Sequence, residues 1–294
     1  MTSTNMPDLR RASLGTVAVG DGIPVAVMGA LNVSPESFYA GSIHTTHDAL
    51  LRAADLMVEA GAALIDVGAM STAPYLAAVI TEDEERRRLA DAVEILARKL
   101  PVPISADTAR LGPALAAIEA GAAILNDVTG LADERVARIA AEHDVSLILM
   151  ASPRAFRAPK EQEVHDPIGF VSGVLAHALD RVARAGIPAE RVVLDPGIGF
   201  FLERPAERAD WDARVVAGLR SLAPLGRPLC VAVSRKSFVG AVTRRTSPAD
   251  RLAGSLAATA VAVLGGAAVV RAHDVRETVD AVRVAETLRA VTPP

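Results

Sequence analysis

The segment Ala60-Gly61-Ala62-Ala63-Leu64-Ile65-Asp66-Val67-Gly68 sets the end of a helical stretch, Asp48 to Glu59, directly against an apolar run, with one glycine at the junction. Glycine supplies the left-handed C-cap that a short helix-to-strand turn needs. Ala120-Gly121-Ala122-Ala123 and Gly265-Gly266-Ala267-Ala268 repeat the arrangement, each leading straight into another apolar run. From Pro24 onward such runs alternate with longer stretches of helical period, giving eight units. The runs are Pro24 to Asn32, Ala63 to Val67, Ile104 to Thr108, Ile124 to Val128, Ser146 to Met150, Val192 to Asp195, Leu229 to Ser234 and Val269 to His273. They are nearly continuous in apolar residues, as parallel strands buried on both faces require. Between them, Glu82 to Lys99, Pro113 to Glu119, Arg135 to Glu142, Val171 to Arg184, Ala213 to Leu222, Leu252 to Leu264 and Glu277 to Arg289 read as helices. The fold class expected is α/β, a single (β/α)8 TIM barrel, which uses about 250 residues as one domain. An open doubly wound sheet is the other architecture with this alternation. Residues 1–22 are read as an N-terminal extension and residues 23–294 as the barrel domain.

Of the 294 residues, 51% are hydrophobic, which is ample for a large core and excludes disorder as the main state. The 31 basic and 35 acidic side chains leave a net charge of −4 with no block of five like charges, so broad electrostatic binding to nucleic acid or to an anionic membrane is not expected. Cys230 is the single cysteine, which leaves no internal disulfide and no Cys/His zinc cluster and fits a reducing cytosol. Residues 1–22 lack the apolar stretch of a signal peptide, and no window of 18 apolar residues occurs, so a soluble cytoplasmic protein is expected.

In such a barrel the active site forms at the C-terminal ends of the strands. Polar residues end seven of the eight runs. They are Asn32; Asp66 leading to Ser71-Thr72; Asp107; Asn126-Asp127; Asp195; Ser234-Arg235-Lys236; and Arg271-Ala272-His273. Any one of them is explained equally well as a cap on the following helix or turn. Together they offer carboxylates and amides for a polar heterocycle, and Lys236, Arg271 and His273 for an anion. In Asp195-Pro196-Gly197 a fixed carboxylate can accept two parallel N–H bonds from a guanidine-like ring edge, or the segment is simply a turn. Arg271 and His273, two apart, share a face of one strand, where two cations suit a phosphate or diphosphate; the alternative is that Asp274 pairs with the arginine. No Ser-His-Asp order or G-x-S-x-G elbow stands out, which disfavours hydrolysis through a nucleophile.

These segments resemble the dihydropteroate synthase and wider pterin-binding family. The resemblance is carried by Met28-Gly29-Ala30-Leu31-Asn32-Val33-Ser34-Pro35-Glu36-Ser37-Phe38, Ile65-Asp66-Val67-Gly68 with Ser71-Thr72, Ser105-Ala106-Asp107-Thr108, Asn126-Asp127-Val128-Thr129-Gly130, Leu194-Asp195-Pro196-Gly197-Ile198-Gly199-Phe200, Ser234-Arg235-Lys236-Ser237-Phe238 and Arg271-Ala272-His273-Asp274-Val275, in family order. It implies displacement of diphosphate from a 7,8-dihydropterin-6-ylmethyl diphosphate by an aromatic amine, with Mg2+ as cofactor. By the same resemblance, Asp107, Asn126, Asp195 and Lys236 hold the pterin, and Ser71, Thr72 and Met150 also line the substrate site. Asn32, Arg271 and His273 hold the diphosphate, Asn32 contacts the metal, and Asp107, Lys236, Arg271 and His273 are the catalytic set. A homodimer, packed through a helical segment at Leu256 to Leu264, is implied as well.

Several loops depart from the family pattern. The loop after the second strand reads Ala69-Met70-Ser71-Thr72-Ala73-Pro74-Tyr75, with Ala73 where the family carries an arginine. The first loop reads Pro35-Glu36-Ser37-Phe38-Tyr39-Ala40, and the fifth strand ends Leu149-Met150-Ala151 without the family's histidine. The pterin-reading set is kept while the acceptor loops differ, a pattern similar to relatives from methanopterin-using organisms. The acceptor is therefore either 4-aminobenzoate or a ribofuranosyl-aminobenzene phosphate, in folate or tetrahydromethanopterin biosynthesis. A barrel that holds methyl-tetrahydrofolate for methyl transfer, and a non-catalytic paralogue, are the alternatives.

Overall fold

Each buried strand has two faces, and in a closed barrel one of them must fill the lumen. A computed structural model describes residues 9–33, 43–69, 80–154 and 156–291. Eight parallel strands close into a barrel: β3 (Ala26–Asn32), β4 (Leu64–Gly68), β5 (Ile104–Asp107), β6 (Ile124–Asp127), β7 (Ser146–Met150), β8 (Val192–Asp195), β9 (Leu229–Val231) and β10 (Ala267–Ala272). They neighbour one another in chain order, and β10 pairs with β3 to complete the cylinder. The helices are α1 (Ile43–Glu59), α2 (Glu82–Lys99), α3 (Leu111–Glu119), α4 (Glu134–Glu142), α5 (Pro167–Arg184), α6 (Pro205–Ala217), α7 (Ser237–Thr243), α8 (Leu252–Leu264) and α9 (Val275–Val291). Gly61, Gly121 and Gly266 adopt φ of +105°, +112° and +98° at three helix exits, the backbone the repeated motif requires. No helix of the described residues is long and apolar enough to cross a membrane.

Lumen residues form two layers. Met28, Leu64, Ile124, Ile148, Val193, Cys230 and Val269 make an apolar floor. Two positions further along the same strands come Asp66 after Leu64, Asn126 after Ile124, Met150 after Ile148, Asp195 after Val193 and Arg271 after Val269. Because the side-chain period of a strand is two, one inward face carries both the floor and the polar layer above it.

Three segments differ from the sequence reading. Residues read as an extension form a hairpin, β1 (Arg11–Leu14) and β2 (Val17–Gly20), that closes the lower mouth of the barrel. Its buried Ala12, Leu14 and Val19 alternate with exposed neighbours and pack on the lumen floor. The turn is tied down by Gly15, whose N–H donates to Ser146 Oγ at 3.1 Å, and the open end of the hairpin is closed by the Arg10–Asp21 ion pair at 2.7 Å. Leu14→Ala is expected to cost about 3 kcal/mol, the range for a fully buried leucine, read as a shift in the urea midpoint at unchanged slope. Second, β9 stops at Val231 instead of Ser234, because Arg235 turns left-handed (φ 57°) and α7 starts directly after Lys236. Third, α6 spans Pro205–Ala217 where a helix over Ala213 to Leu222 is expected, and a 3-10 segment, Leu219–Leu225, follows it. Gly218 separates the two, and Pro224, lacking an N–H, stands in the second.

Candidate active site

Asp66 sits mid-strand in Leu64-Ile65-Asp66-Val67-Gly68 and is fully buried, so it must find partners inside the barrel. It finds three. Ser105 Oγ donates to Oδ1 at 2.6 Å, while Asn126 Nδ2 at 3.2 Å and Arg271 Nε at 2.6 Å donate to Oδ2. Arg271 Nη2 also donates to Asp107 Oδ2 at 3.2 Å. One arginine thus bridges two carboxylates across the lumen.

Asp107 keeps its other oxygen, Oδ1, buried and without a partner among the described residues. Burial, reinforced by the Asp66 charge and opposed by Arg271 and Lys236, raises its carboxyl to about 7. In the unfolded chain it titrates near 3.8, so between these values the folded chain holds a proton that the unfolded chain has released. Stability from this group is therefore greatest below pH 4 and is lost as pH rises through 7. Asp107→Asn should remove that slope: at pH 8 the variant melts above the parent by roughly 5 °C, and the gap closes toward pH 4 in a series of thermal melts.

Asp195 ends β8 with its Oδ1 accepting the Gly197 N–H at 2.7 Å, and Gly197 is left-handed at φ +73°. A Cβ at Gly197 would stand 2.2 Å from the Ala151 carbonyl oxygen, so the turn that presents this carboxylate requires glycine. Burial pushes the Asp195 carboxyl up, and the Lys236 and Arg271 charges oppose the shift. Lys236 is drawn down by burial while Asp195 acts the other way, and its Nζ lies 4.5 Å from the centre of the Phe200 ring. Asp195, Lys236, Arg271 and Asp107 therefore act on one another's charges at the C-terminal end of the barrel.

His273 follows β10 at the rim, with Nδ1 3.1 Å from Ser234 Oγ. Loss of hydration in the crowded rim, then the Arg271 and Arg235 charges, push it down to about 4, so it is neutral at pH 7. The sequence reading made Arg271 and His273 two cations; Arg271 is held by two carboxylates, while the environment of His273 disfavours its protonation before an anion is bound. Nor does Asp274 pair with Arg271. It takes Arg235 instead, with Nε at 2.9 Å and Nη2 at 2.5 Å.

Met150 is buried and pairs in register with Asp195. Asn32 ends β3 exposed at the rim. Ser71 and Thr72 lie outside the described residues, as do Met70, Ala73 and Tyr75. Asp127, beside Asn126, turns away from the lumen and accepts the N–H groups of Thr129 at 2.6 Å and Leu131 at 3.2 Å, which is the capping role. The sequence reading counts Asp66 among the polar strand-end residues but gives it no individual role; its place as the shared acceptor of Ser105, Asn126 and Arg271 comes from barrel closure. Among the described residues no group of three His, Cys, Asp or Glu gathers as a metal cage. A single rim amide, Asn32, fits a Mg2+ that arrives with a diphosphate, since Mg2+ keeps several waters and takes few protein ligands beside substrate phosphates.

A family model for pterin binding enzymes matches residues 28–273, from the floor of β3 to the rim histidine. The chain belongs to the pterin-binding enzyme family. Within this pterin-binding family, the dihydropteroate synthase of Escherichia coli (strain K12) is 36% identical over 264 residues, covering 88% of this chain and 90% of that one. A probable bifunctional folylpolyglutamate synthase/dihydropteroate synthase of Haloferax volcanii is 41% identical over 261 residues, covering 88% of this chain and 30% of that one. Among solved structures, Xanthomonas albilineans dihydropteroate synthase with 4-aminobenzoic acid superposes with a TM-score of 0.84 at 34% identity, covering 97% of this chain and all of that one. The same enzyme in complex with 7,8-dihydropteroate gives 0.82 at 33% identity, covering 96% of this chain and all of that one.

Proposed function

We propose that this chain is a dihydropteroate synthase that joins 7,8-dihydropterin-6-ylmethyl diphosphate to 4-aminobenzoate in folate biosynthesis. The observation that carries the reading is the closed polar layer of Asp66, Asp107, Asn126, Asp195, Lys236 and Arg271 over an apolar floor. That layer presents acceptors for an amino-pyrimidine edge and cations for a leaving anion at the C-terminal end of the barrel. The apolar floor beneath it suits the face of a flat heterocycle.

In the reaction the C–O bond between the pterin methylene and the diphosphate breaks, and its electron pair leaves with the diphosphate. The amine lone pair forms the new C–N bond and the amine then sheds a proton. Asp195 accepts N–H bonds from the pterin edge, Asn126 stands beside it, and Lys236 donates to a ring oxygen or nitrogen. Asp107 Oδ1, buried and unpartnered among the described residues, is placed to accept a ring N–H, and its negative charge opposes the positive charge that builds on the methylene. Arg271 and Asn32 face the diphosphate. His273, neutral beforehand, donates an N–H and takes up a proton as the anion arrives, because a neighbouring negative charge raises an imidazole pKa. Asn32 would help hold a Mg2+ ion that arrives with the diphosphate, and such an ion would supply positive charge to the leaving group. The aromatic amine already has a free lone pair, so the chain contributes chiefly position and charge.

Purified chain with the pterin diphosphate, Mg2+ and 4-aminobenzoate should release diphosphate together with an equal amount of coupled product. Turnover only with a ribofuranosyl-aminobenzene phosphate would move the acceptor to the methanopterin branch, and no turnover with either would remove the synthase reading. Preferential binding of methyl-tetrahydrofolate over the pterin diphosphate would favour methyl transfer. We place the reaction in the cytoplasm, which suits the buried free thiol of Cys230. We also assign a homodimer to the α8–α9 face, where Val261 is 46% and Val284 61% exposed. Sedimentation equilibrium at micromolar concentration should give twice the chain mass; the monomer mass would refute it.

A further inference from the structure

One buried carboxylate near the site is not used by the chemistry above. Asp212 on α6 is fully buried; its Oδ1 accepts the Gly199 N–H at 2.9 Å, and its Oδ2 is buried with no partner among the described residues. One helical turn earlier on the same face, Arg208 donates to the carbonyls of Leu202 (2.5 Å) and Glu203. Two side chains of α6 therefore hold both ends of the short segment 199–203, which leaves β8 just beyond Asp195. Phe201 is fixed independently, its ring 5.4 Å from that of Trp211 and 5.7 Å from that of Phe170. Gly199 and Phe200 have no such aromatic anchor, and Asp212 supplies the hydrogen bond to Gly199.

Gly199 and Phe200 form the surface on which Lys236 rests. A Cβ at Gly199, which is left-handed at φ +89°, would meet Lys236 Cδ at 3.5 Å and Nζ at 3.8 Å. The Phe200 ring centre is 4.5 Å from the same Nζ. A lysine stem has four rotatable bonds, and its ammonium is aimed only if something beside it restricts them. A buried carboxyl with an idle oxygen also costs stability, and burial accordingly raises Asp212 to about 6, with the Lys236 and Arg208 charges opposing. A cap needed only to finish a turn has no reason to sit beside that lysine.

We propose that Asp212 is a positioning residue for Lys236: by holding Gly199 it sets the Gly199–Phe200 platform that aims the ammonium into the pterin site. The assignment rests on the pterin-transfer reading for its consequence in binding, but not for the geometry it claims.

The full chain contains three lysines, Lys99, Lys160 and Lys236, so lysine-selective 13C labelling yields three assignable side-chain signals. The Lys236 ε-protons, beside the Phe200 ring, should be displaced from the other two, with loss of that signal in Lys236→Arg fixing the assignment. Asp212→Ala is expected to collapse the displacement and to weaken binding of 7,8-dihydropterin-6-ylmethyl diphosphate by about tenfold, the worth of one aimed hydrogen bond. Asp212→Asn, whose amide oxygen still accepts the Gly199 N–H, should restore the displacement and most of the affinity. An unmoved Lys236 signal with unchanged affinity in Asp212→Ala overturns the proposal, as does Asp212→Asn being as impaired as Asp212→Ala. Should Asp212→Ala not fold, Asp212→Ser, whose shorter side chain falls back from the Gly199 N–H, takes its place; the same two losses support the proposal, and an unmoved Lys236 signal with unchanged affinity refutes it. Parent protein that binds no pterin contradicts the functional reading alone, since the lysine signals still decide whether Asp212 aims Lys236.

Discussion

Asp195→Ala should lower affinity for the pterin diphosphate by at least about a hundredfold while the chain stays folded. A carboxylate that accepts two N–H bonds from a ring edge makes charge-assisted contacts worth about 1.5–3 kcal/mol each, and their joint loss corresponds to a factor of roughly 100 or more. Stability should move much less. Burial already disfavours the Asp195 carboxylate, so its removal relieves that penalty as it deletes the bond from Gly197. Isothermal titration with the pterin diphosphate, on protein whose melting temperature is within a few degrees of the parent, reads the two effects separately. Lys236→Ala should act in the same direction. Unaltered binding in both variants would contradict the placement of the pterin.

Arg271→Met is expected to damage folding and chemistry together. The guanidinium is the shared partner of Asp66 and Asp107, at 2.6 and 3.2 Å, and both carboxylates are buried. Removing it leaves two uncompensated acids in the lumen, which costs about 3–5 kcal/mol, or roughly 10 °C in melting temperature for a domain of this size. It also removes the charge that faces the departing diphosphate, for a further loss of about 100- to 1,000-fold in kcat. The double variant Asp66→Asn/Arg271→Met separates the two. With one buried charge deleted on each side, it should recover most of the melting temperature and none of the turnover. Recovery of turnover in the double variant would mean that Arg271 serves only to neutralise Asp66.

The two expectations differ in how much of them could be read from residue order. Asp195 lies at the end of an apolar run and before Pro-Gly, so its place at the rim follows from local pattern. The partners of Arg271 do not. Its bond to Asp66 joins residues 205 apart in the chain, whereas the acid nearest in sequence, Asp274, goes to Arg235 because Arg235 takes a left-handed turn toward it. Local proximity proposed one pairing, and barrel closure, which sets β10 beside β3 and Arg271 across from β4 and β5, made another. His273 shows the same limit. Its type and position mark it as a residue for an anion, but its charge state depends first on the hydration its ring loses and then on the Arg271 and Arg235 guanidiniums that folding places around it.

The hairpin at residues 11–20 and Asp212 were missed for a related reason. Four-residue strands with short alternation carry little signal on their own, and they become an element only when a floor of Met28, Leu64, Ile124 and Val193 is present to bury Leu14 and Val19. Asp212, among the charged residues of α6, looks like any other acid on an amphipathic helix until the loop it holds is seen.

Residue order by itself determined the eight alternating strand and helix units, because glycine exits and continuous apolar runs are local requirements of strand and helix geometry; that the sheet closes, where a doubly wound sheet would stay open, is decided by β10 pairing with β3. Residue order also determined which strands end in polar groups. Only the tertiary structure decided which of two adjacent polar residues looks inward, as with Asn126 and Asp127, and which acid neutralises which cation. Lumen orientation and charge pairing are properties of a closed cylinder, and no local stretch of chain contains the neighbours that set them.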